Sequence, residues 1–177
     1  MRIYLIGFMG SGKTTVGEVL AERLQVPFFD IDELVESAEK TSIREIFAAH
    51  GEPYFRRRER DFLLMTRHLE RAIVSTGGGT FTFEENIEFI QESGISIYLS
   101  VPYETCLSRV SVSSAERPMF HDEMALHGLF KSRKHNYRRA DLVLEIRENE
   151  TPREIARRIE KLLPAEARSS FMTGGRI

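Results

Sequence analysis

Short, continuously apolar runs alternate along this chain with stretches of helical periodicity. Ile3-Tyr4-Leu5-Ile6 and Ala72-Ile73-Val74-Ser75 predict buried strands, as in a parallel sheet, and Ile95 to Val101 and Leu142-Val143-Leu144 predict two more strands. Pro27-Phe28-Phe29 leads into Asp30-Ile31-Asp32 and predicts a further strand, whose alternation would send Asp30 and Asp32 the same way. Val16, Val19, Leu20 and Leu24 recur at helical spacing over Lys13 to Leu24, with the helix ending near Gln25. Ser42-Ile43-Arg44-Glu45 has the form of a capping box, and the helix it opens is broken at Gly51. Phe55, Glu59 and Phe62 then begin a longer helix reaching about Leu69. Thr82-Phe83-Glu84-Glu85 has the form of a second capping box, with Phe83, Ile87 and Ile90 expected inward and Ser93-Gly94 as the stop. Pro102 falls in the first turn of the next helix, where its missing N–H costs nothing. A helix from about Asp122 to Arg139 follows, and Thr151-Pro152-Arg153-Glu154 opens the last, with Ile155, Ile159, Leu162 and Leu163 inward.

Such alternation implies an α/β fold, a three-layer doubly wound sheet of about five parallel strands with helices on both faces. Between about Leu34 and Leu69 there is more helix than one crossover needs, and this surplus, about residues 33–61, reads as a substrate-binding insertion. From Ser111 to about His121 the periodicity fails in a polar stretch containing Arg117, expected to be a lid over about residues 111–123. Residues 1–163 are expected to form a single domain, and 164–177, which lack periodicity and end in Gly174-Gly175-Arg176-Ile177, to be a frayed tail.

A length of 177 residues suits one compact domain with a substantial core. Charged residues make up 29% but the net charge is only -2, so no long-range field draws the chain to nucleic acid or an anionic membrane, and neither is expected as a partner. Arg56-Arg57-Arg58-Glu59-Arg60 is a local basic run of the kind solvated helix faces carry. Cys106 is the sole cysteine, which excludes an intramolecular disulfide and a cysteine-based zinc site. No apolar run approaches the roughly 18 residues of a membrane span. The apolar start after Met1-Arg2 faintly imitates a signal peptide, but it ends in Gly10-Ser11-Gly12-Lys13. A cytoplasmic monomer is the expectation, since no heptad or surplus apolar helix face is visible.

Gly7-Phe8-Met9-Gly10-Ser11-Gly12-Lys13-Thr14 fits G-x-x-x-x-G-K-[ST] and lies between a predicted strand and a predicted helix, the context a phosphate-binding P-loop requires. Glycines there let backbone N–H groups face phosphate oxygens without a β-carbon in the way, and the helix N-terminus adds positive potential. Lys13 is placed for the β- and γ-phosphates and Thr14 for Mg²⁺. A guanine-reading N-K-x-D segment is absent, and the strand from Ala72 ends in Ser-Thr-Gly-Gly-Gly where a motor or AAA-type ATPase would carry Asp-Glu. A small kinase, moving a γ-phosphoryl group to an acceptor hydroxyl, is what remains.

The ordered set of motifs resembles shikimate kinase over roughly Arg2 to Leu163. The P-loop through Thr15-Val16-Gly17 is joined by Asp30 and Asp32, by Gly51, Glu52, Phe55, Arg56 and Glu59, and by Gly77, Gly78 and Gly79. Arg117-Pro118 and Arg133, Tyr137, Ala140 and Asp141 complete it. That resemblance implies ATP-dependent phosphorylation of the 3-hydroxyl of shikimate, in the chorismate route to aromatic amino acids. It implies Gly10, Ser11, Gly12, Lys13, Thr14, Thr15, Arg109 and Arg117 at ATP, and Thr14, Asp30 and Ser75 around Mg²⁺. It further implies Asp32, Arg56, Gly77, Gly78, Gly79 and Arg133 at shikimate, with Lys13, Asp32 and Arg117 catalytic. Forked, charge-assisted bonds from Arg56 and Arg133 suit a carboxylate, and Asp32 suits a hydroxyl. Two stretches depart from the family pattern: Lys134-His135-Asn136 stands where a proline usually precedes the tyrosine, and Ser111 to Glu116 is serine-rich without glycine.

Read from the residues alone, several positions keep a second meaning. Asp30 could cap a helix, Gly77 to Gly79 could be a tight turn, and Arg133 could be a surface ion-pair partner beside Arg138 and Arg139. Gluconate kinase, another small-metabolite kinase of this fold, and a non-catalytic nucleotide-binding regulatory module are the competing functions.

Overall fold

The computed structural model describes residues 1–113 and 123–172. Strands β1 (Arg2–Ile6), β2 (Phe28–Asp30), β3 (Ala72–Ser75), β4 (Ile95–Ser100) and β5 (Leu142–Glu145) form one sheet in the order β2-β3-β1-β4-β5. Every pairing is parallel. Between them run α1 (Lys13–Leu24), α2 (Ile31–Glu39), α3 (Ile43–Met65), α4 (Glu84–Ser93), α5 (Tyr103–Ser113) and α6 (Glu123–Tyr137), with α7 (Pro152–Leu162) and α8 (Ala165–Met172) after β5. The three central strands are apolar on both faces because helices cover both: Ile3 to Ile6, Ala72 to Val74 and Ile97 to Leu99 are all buried. A smaller cluster of Val35, Ile46 and Phe55 gives the α2–α3 insertion its own core.

Two predicted caps are present in full. Ser42 with Glu45 opens α3, and Thr151 with Glu154, followed by Pro152, opens α7. Helix α3 is bent where the break was expected, at Gly51 (φ 75, ψ 171).

Four expectations need correction. Strand β2 stops at Asp30, and Asp32 stands in the first turn of a helix, α2, that the pattern did not reveal. Asp30 ends the strand itself by turning its carboxylate back onto the N–H groups of Asp32 and Glu33. No capping box forms at Thr82, because its hydroxyl donates to the Gly79 carbonyl (2.6 Å) and Phe83 takes the cap position without a side-chain bond. Phe83 and Leu162 are exposed where both were expected inward. Residues 165–172 are helical where a frayed tail was expected: Ala167 and Phe171, one turn apart, are buried in the main core. Residues 114–122, the greater part of the expected lid with Arg117 and Pro118, and 173–177 lie outside the described residues, while 111–113 end α5 and Glu123 opens α6.

Candidate active site

Loops leaving the carboxyl ends of β1, β2 and β3 converge beside the point where the strand order reverses, the place where open α/β sheets bind ligands. The loop after β1 carries Gly10 (φ 75) and Gly12 (φ 88) in left-handed conformations. A β-carbon on Gly10 would lie 2.5 Å from the Cys106 carbonyl oxygen and 2.8 Å from Val110, so α5 closes directly on the loop. Helix α1 starts without a side-chain cap, and its first internal bond is Val16 N–H to the Gly12 carbonyl (2.9 Å). The N–H groups of Lys13, Thr14 and Thr15 have no acceptor among the described residues, which is what an anion at a helix N-terminus needs. The buried hydroxyl of Ser11 is likewise unpartnered. Lys13 is folded back, donating to the carbonyls of Gly7 (2.9 Å) and Phe8 (3.0 Å). Burial holds its ammonium pKa below the usual value, against the pull of Asp32 and Asp30. These groups suit a polyphosphate. From α5, Arg109 reaches over the loop to the Gly10 carbonyl (3.4 Å).

Thr14 donates its hydroxyl to Asp30 Oδ2 (2.7 Å), so Asp30 both caps α2 and faces the P-loop. Ser75 is Asp30's register partner and pairs on its other side with Leu5. Hydroxyl and carboxylate oxygens alone make a hard donor set, and it fits Mg²⁺, which takes few protein ligands beside phosphate oxygens and water.

The third part of the site joins α2, α3 and the glycine loop after β3. Glu59 is completely buried, accepting from Arg56 Nη1 (2.9 Å) and Thr80 Oγ1 (2.7 Å). Asp32 faces the same point: a β-carbon on Gly77 would collide with Glu59 Oε1 and lie 2.8 Å from Asp32 Oδ1. That Oδ1 is buried and without a hydrogen-bond partner. Loss of water, then the nearby Glu59 and Asp30 charges, push the Asp32 carboxyl up to about 7 against Lys13 and Arg56. Arg56 spans the glycines, its guanidinium 2.6 Å from where a β-carbon on Gly79 would stand, its other edge on Glu52 Oε1 (3.0 Å). From α6, Arg133 lies over the Phe8 ring (6.0 Å), with Nη1 3.5 Å from a β-carbon built on Gly78. Helix α6 runs unbroken through Lys134-His135-Asn136, so the missing proline leaves Arg133 and Tyr137 one turn apart on one helix.

Asp32, Arg56, Gly77 to Gly79 and Arg133 are thus brought together opposite Lys13, Thr14, Asp30 and Ser75. Glu59, Thr80 and Tyr137 are members to which the sequence assigned no role. Glu59 and Tyr137 stood in the family motifs, but nothing local separates one buried glutamate from the solvated charges around it.

A family model for shikimate kinase matches residues 9–164. The shikimate kinase of Aquifex aeolicus (strain VF5) is 39% identical over 160 residues, covering 90% of this chain and 94% of its own. That of Synechococcus elongatus is 37% identical over 171 residues, covering 95% of this chain and 89% of its own. Among solved structures, the Acinetobacter baumannii shikimate kinase in complex with shikimate superposes with a TM-score of 0.85 at 37% identity over 91% of each chain. Deoxyadenosine kinase from M. mycoides shares the fold at a TM-score of 0.62 and 17% identity, over 91% of this chain and 98% of its own.

Proposed function

The chain belongs to the shikimate kinase family, and on that premise we propose that its crevice transfers the γ-phosphoryl group of ATP to the 3-hydroxyl of shikimate, giving shikimate 3-phosphate and ADP. It is an enzyme, a kinase using ATP with Mg²⁺. The observation that carries the assignment of residues is Asp32, whose bare Oδ1 faces Gly77 between Lys13 and Arg56 and whose carboxyl titrates near 7. A group titrating near the working pH is ionised enough to accept a proton and basic enough to hold it.

Asp32 takes the proton of the 3-hydroxyl as that oxygen attacks the γ-phosphorus; the bond to the β–γ bridging oxygen breaks and its electron pair leaves with ADP. Lys13 leaves the Gly7 and Phe8 carbonyls for the phosphates, and the free N–H groups at the start of α1 hold the oxygens that stay with ADP. Thr14, Asp30 and Ser75 would hold Mg²⁺, and the ion would supply neutralisation of phosphate charge. Arg56 and Arg133 take the shikimate carboxylate, and Gly77 to Gly79 let the ring approach backbone. Arg109 stacks on adenine, and Arg117, from the lid, offsets charge on the transferring group. We take a monomer as the working unit. No helix among the described residues is long and apolar enough to cross a membrane, and we place the enzyme in the cytoplasm.

A coupled ADP-release assay with shikimate, gluconate, quinate and nucleoside monophosphates tests this reading. Release should depend on shikimate; release independent of acceptor, or greatest with gluconate, overturns it.

A further inference from the structure

Among the backbone groups of the glycine loop, every carbonyl from Gly77 to Thr80 is occupied. The Gly77 carbonyl accepts from Thr80 N–H (3.1 Å), and Gly79 from both the N–H (3.1 Å) and the hydroxyl (2.6 Å) of Thr82. Asn86 donates to the Thr80 carbonyl (3.1 Å), and the Tyr137 hydroxyl donates to Gly78. The N–H groups of Gly77, Gly78 and Gly79, by contrast, have no acceptor among the described residues. A loop with its carbonyls tied and three successive amides free is set for an oxygen-rich ligand.

Of the ties on the three glycine carbonyls, only the one at Gly78 has no backbone bond beside it among the described residues. Peptides are planar and trans, with no cis bond in the described chain, so fixing the direction of the Gly78 carbonyl fixes Gly79 N–H on the opposite side. Between two glycines no side chain resists rotation of that peptide, and without a tie it turns at little cost. Tyr137 supplies the tie from a rigid place. It is completely buried, packs on Tyr98 (centroids 5.2 Å) and ends α6 one turn after Arg133, whose Nη1 lies against Gly78.

We propose that Tyr137 is a positioning residue for the acceptor: its hydroxyl holds the Gly78–Gly79 peptide in the one rotation that leaves Gly79 N–H free for shikimate, and it locks this loop to the helix carrying Arg133. The inference rests on shikimate being the acceptor. It explains why a tyrosine, and not a phenylalanine of the same shape, ends α6 in a fully buried position, where a phenol must find a partner. Burial also raises the phenol's pKa, so it keeps the proton it donates across the working range.

Calorimetric titration of wild-type and Tyr137→Phe protein with shikimate, and separately with ATP, tests this. Tyr137→Phe keeps the ring and removes only the donor, and a lost buried hydrogen bond translates to roughly ten-fold weaker shikimate binding. ATP binding should stay within about two-fold, and KM for shikimate should rise while kcat changes little. Tyr98→Phe, which alters the stacked neighbour without touching the loop, should leave shikimate binding unchanged. Unchanged shikimate affinity in Tyr137→Phe with lowered thermal stability makes the tyrosine purely structural and overturns the proposal, as does equal weakening of both ligands. If Tyr137→Phe does not fold, amide resonances of the wild-type protein give the readout: Gly79 N–H should shift on adding shikimate and not on adding ATP alone, and a Gly79 N–H that shikimate leaves unmoved overturns the proposal. Wild-type protein that fails to bind shikimate refutes the substrate and not the loop geometry.

Discussion

Replacing Asp32 by Asn should damage catalysis and stabilise the fold, two effects of opposite sign from one cause. The carboxyl rises from 3.8 to about 7, roughly 3 pK units, which is about 4 kcal/mol of penalty on the charged form as an upper bound. Water reaching this half-buried residue and local relaxation reduce that to ~2 kcal/mol. The folded chain holds the proton more tightly than the unfolded chain. Stability from this group therefore falls as pH rises from about 4 to about 7 and is level above. Asparagine has no such proton, so the melting temperature of Asp32→Asn relative to wild type should climb with pH. About one of the 3 units is expressed at pH 5 and all of them at pH 8, so the gap should widen by ~3–5 °C for a chain of this size.

Melting by scanning fluorimetry at pH 5 and pH 8, beside ADP release, provides the readout. Loss of the base should cut turnover by roughly 10²–10⁴-fold with ATP affinity retained. In the wild type, kcat/KM for shikimate should rise with pH through a limb near 7. A melting gap that is the same at both pH values would refute the raised carboxyl. Turnover within ten-fold of wild type would refute the assignment of Asp32 as base.

Two further substitutions probe the site and the tail. Arg56→Ala should weaken shikimate binding about ten- to a hundred-fold by calorimetry with ATP unaffected, since it removes one forked cation of two; unchanged shikimate affinity would misplace the carboxylate. Phe171→Ala should cost about 3 kcal/mol in chemical denaturation because the ring is buried in the main core, and no loss would mean α8 adds nothing to the fold.

How far the fold was legible follows from which interactions are local. Strand-length apolar runs and the boxes at Ser42 and Thr151 carry their meaning within a few residues, and they stand as expected. Helix α2 did not show because its start is concealed in Asp30-Ile31-Asp32, where alternation fits a strand as well as a cap fits a helix. Only the contact between Thr14 and Asp30, sixteen residues apart, favours the cap. Thr82 failed as a cap for a related reason, since its hydroxyl is drawn to Gly79 by the tight turn that the three glycines make possible. Resemblance placed Asp32 and Arg56 at one substrate, and both stand beside the glycine loop, whereas Glu59, which joins Arg56 to that loop through Thr80, acquires its place only when α3 packs. Period and spacing report faces and caps; they do not report which charged residue ends up with no water.

On the proposed placement of the shikimate carboxylate at Arg56, the partners this arginine already has decide how the substrate enters. Arg56 is shared between two glutamates of unequal standing: the Glu59 side chain is 1% exposed and the Glu52 side chain 58%. Displacing Glu59 would strand a buried charge, so that bond stays and fixes one edge of the guanidinium. Glu52 holds the remaining edge, Nε and Nη2, in water, where such a pair is worth roughly 0.2–1 kcal/mol. An incoming carboxylate therefore has to replace Glu52 and not Glu59, presenting two oxygens where Glu52 now uses one. Glu52 is in that case a weak competitor for the substrate's place. Glu52→Gln should tighten shikimate binding by about two- to five-fold, the value of an exposed pair, with ATP binding unchanged and the effect shrinking at high salt. Weaker shikimate binding in this variant would show instead that Glu52 aims Arg56, and that the substrate carboxylate meets a different edge of the guanidinium.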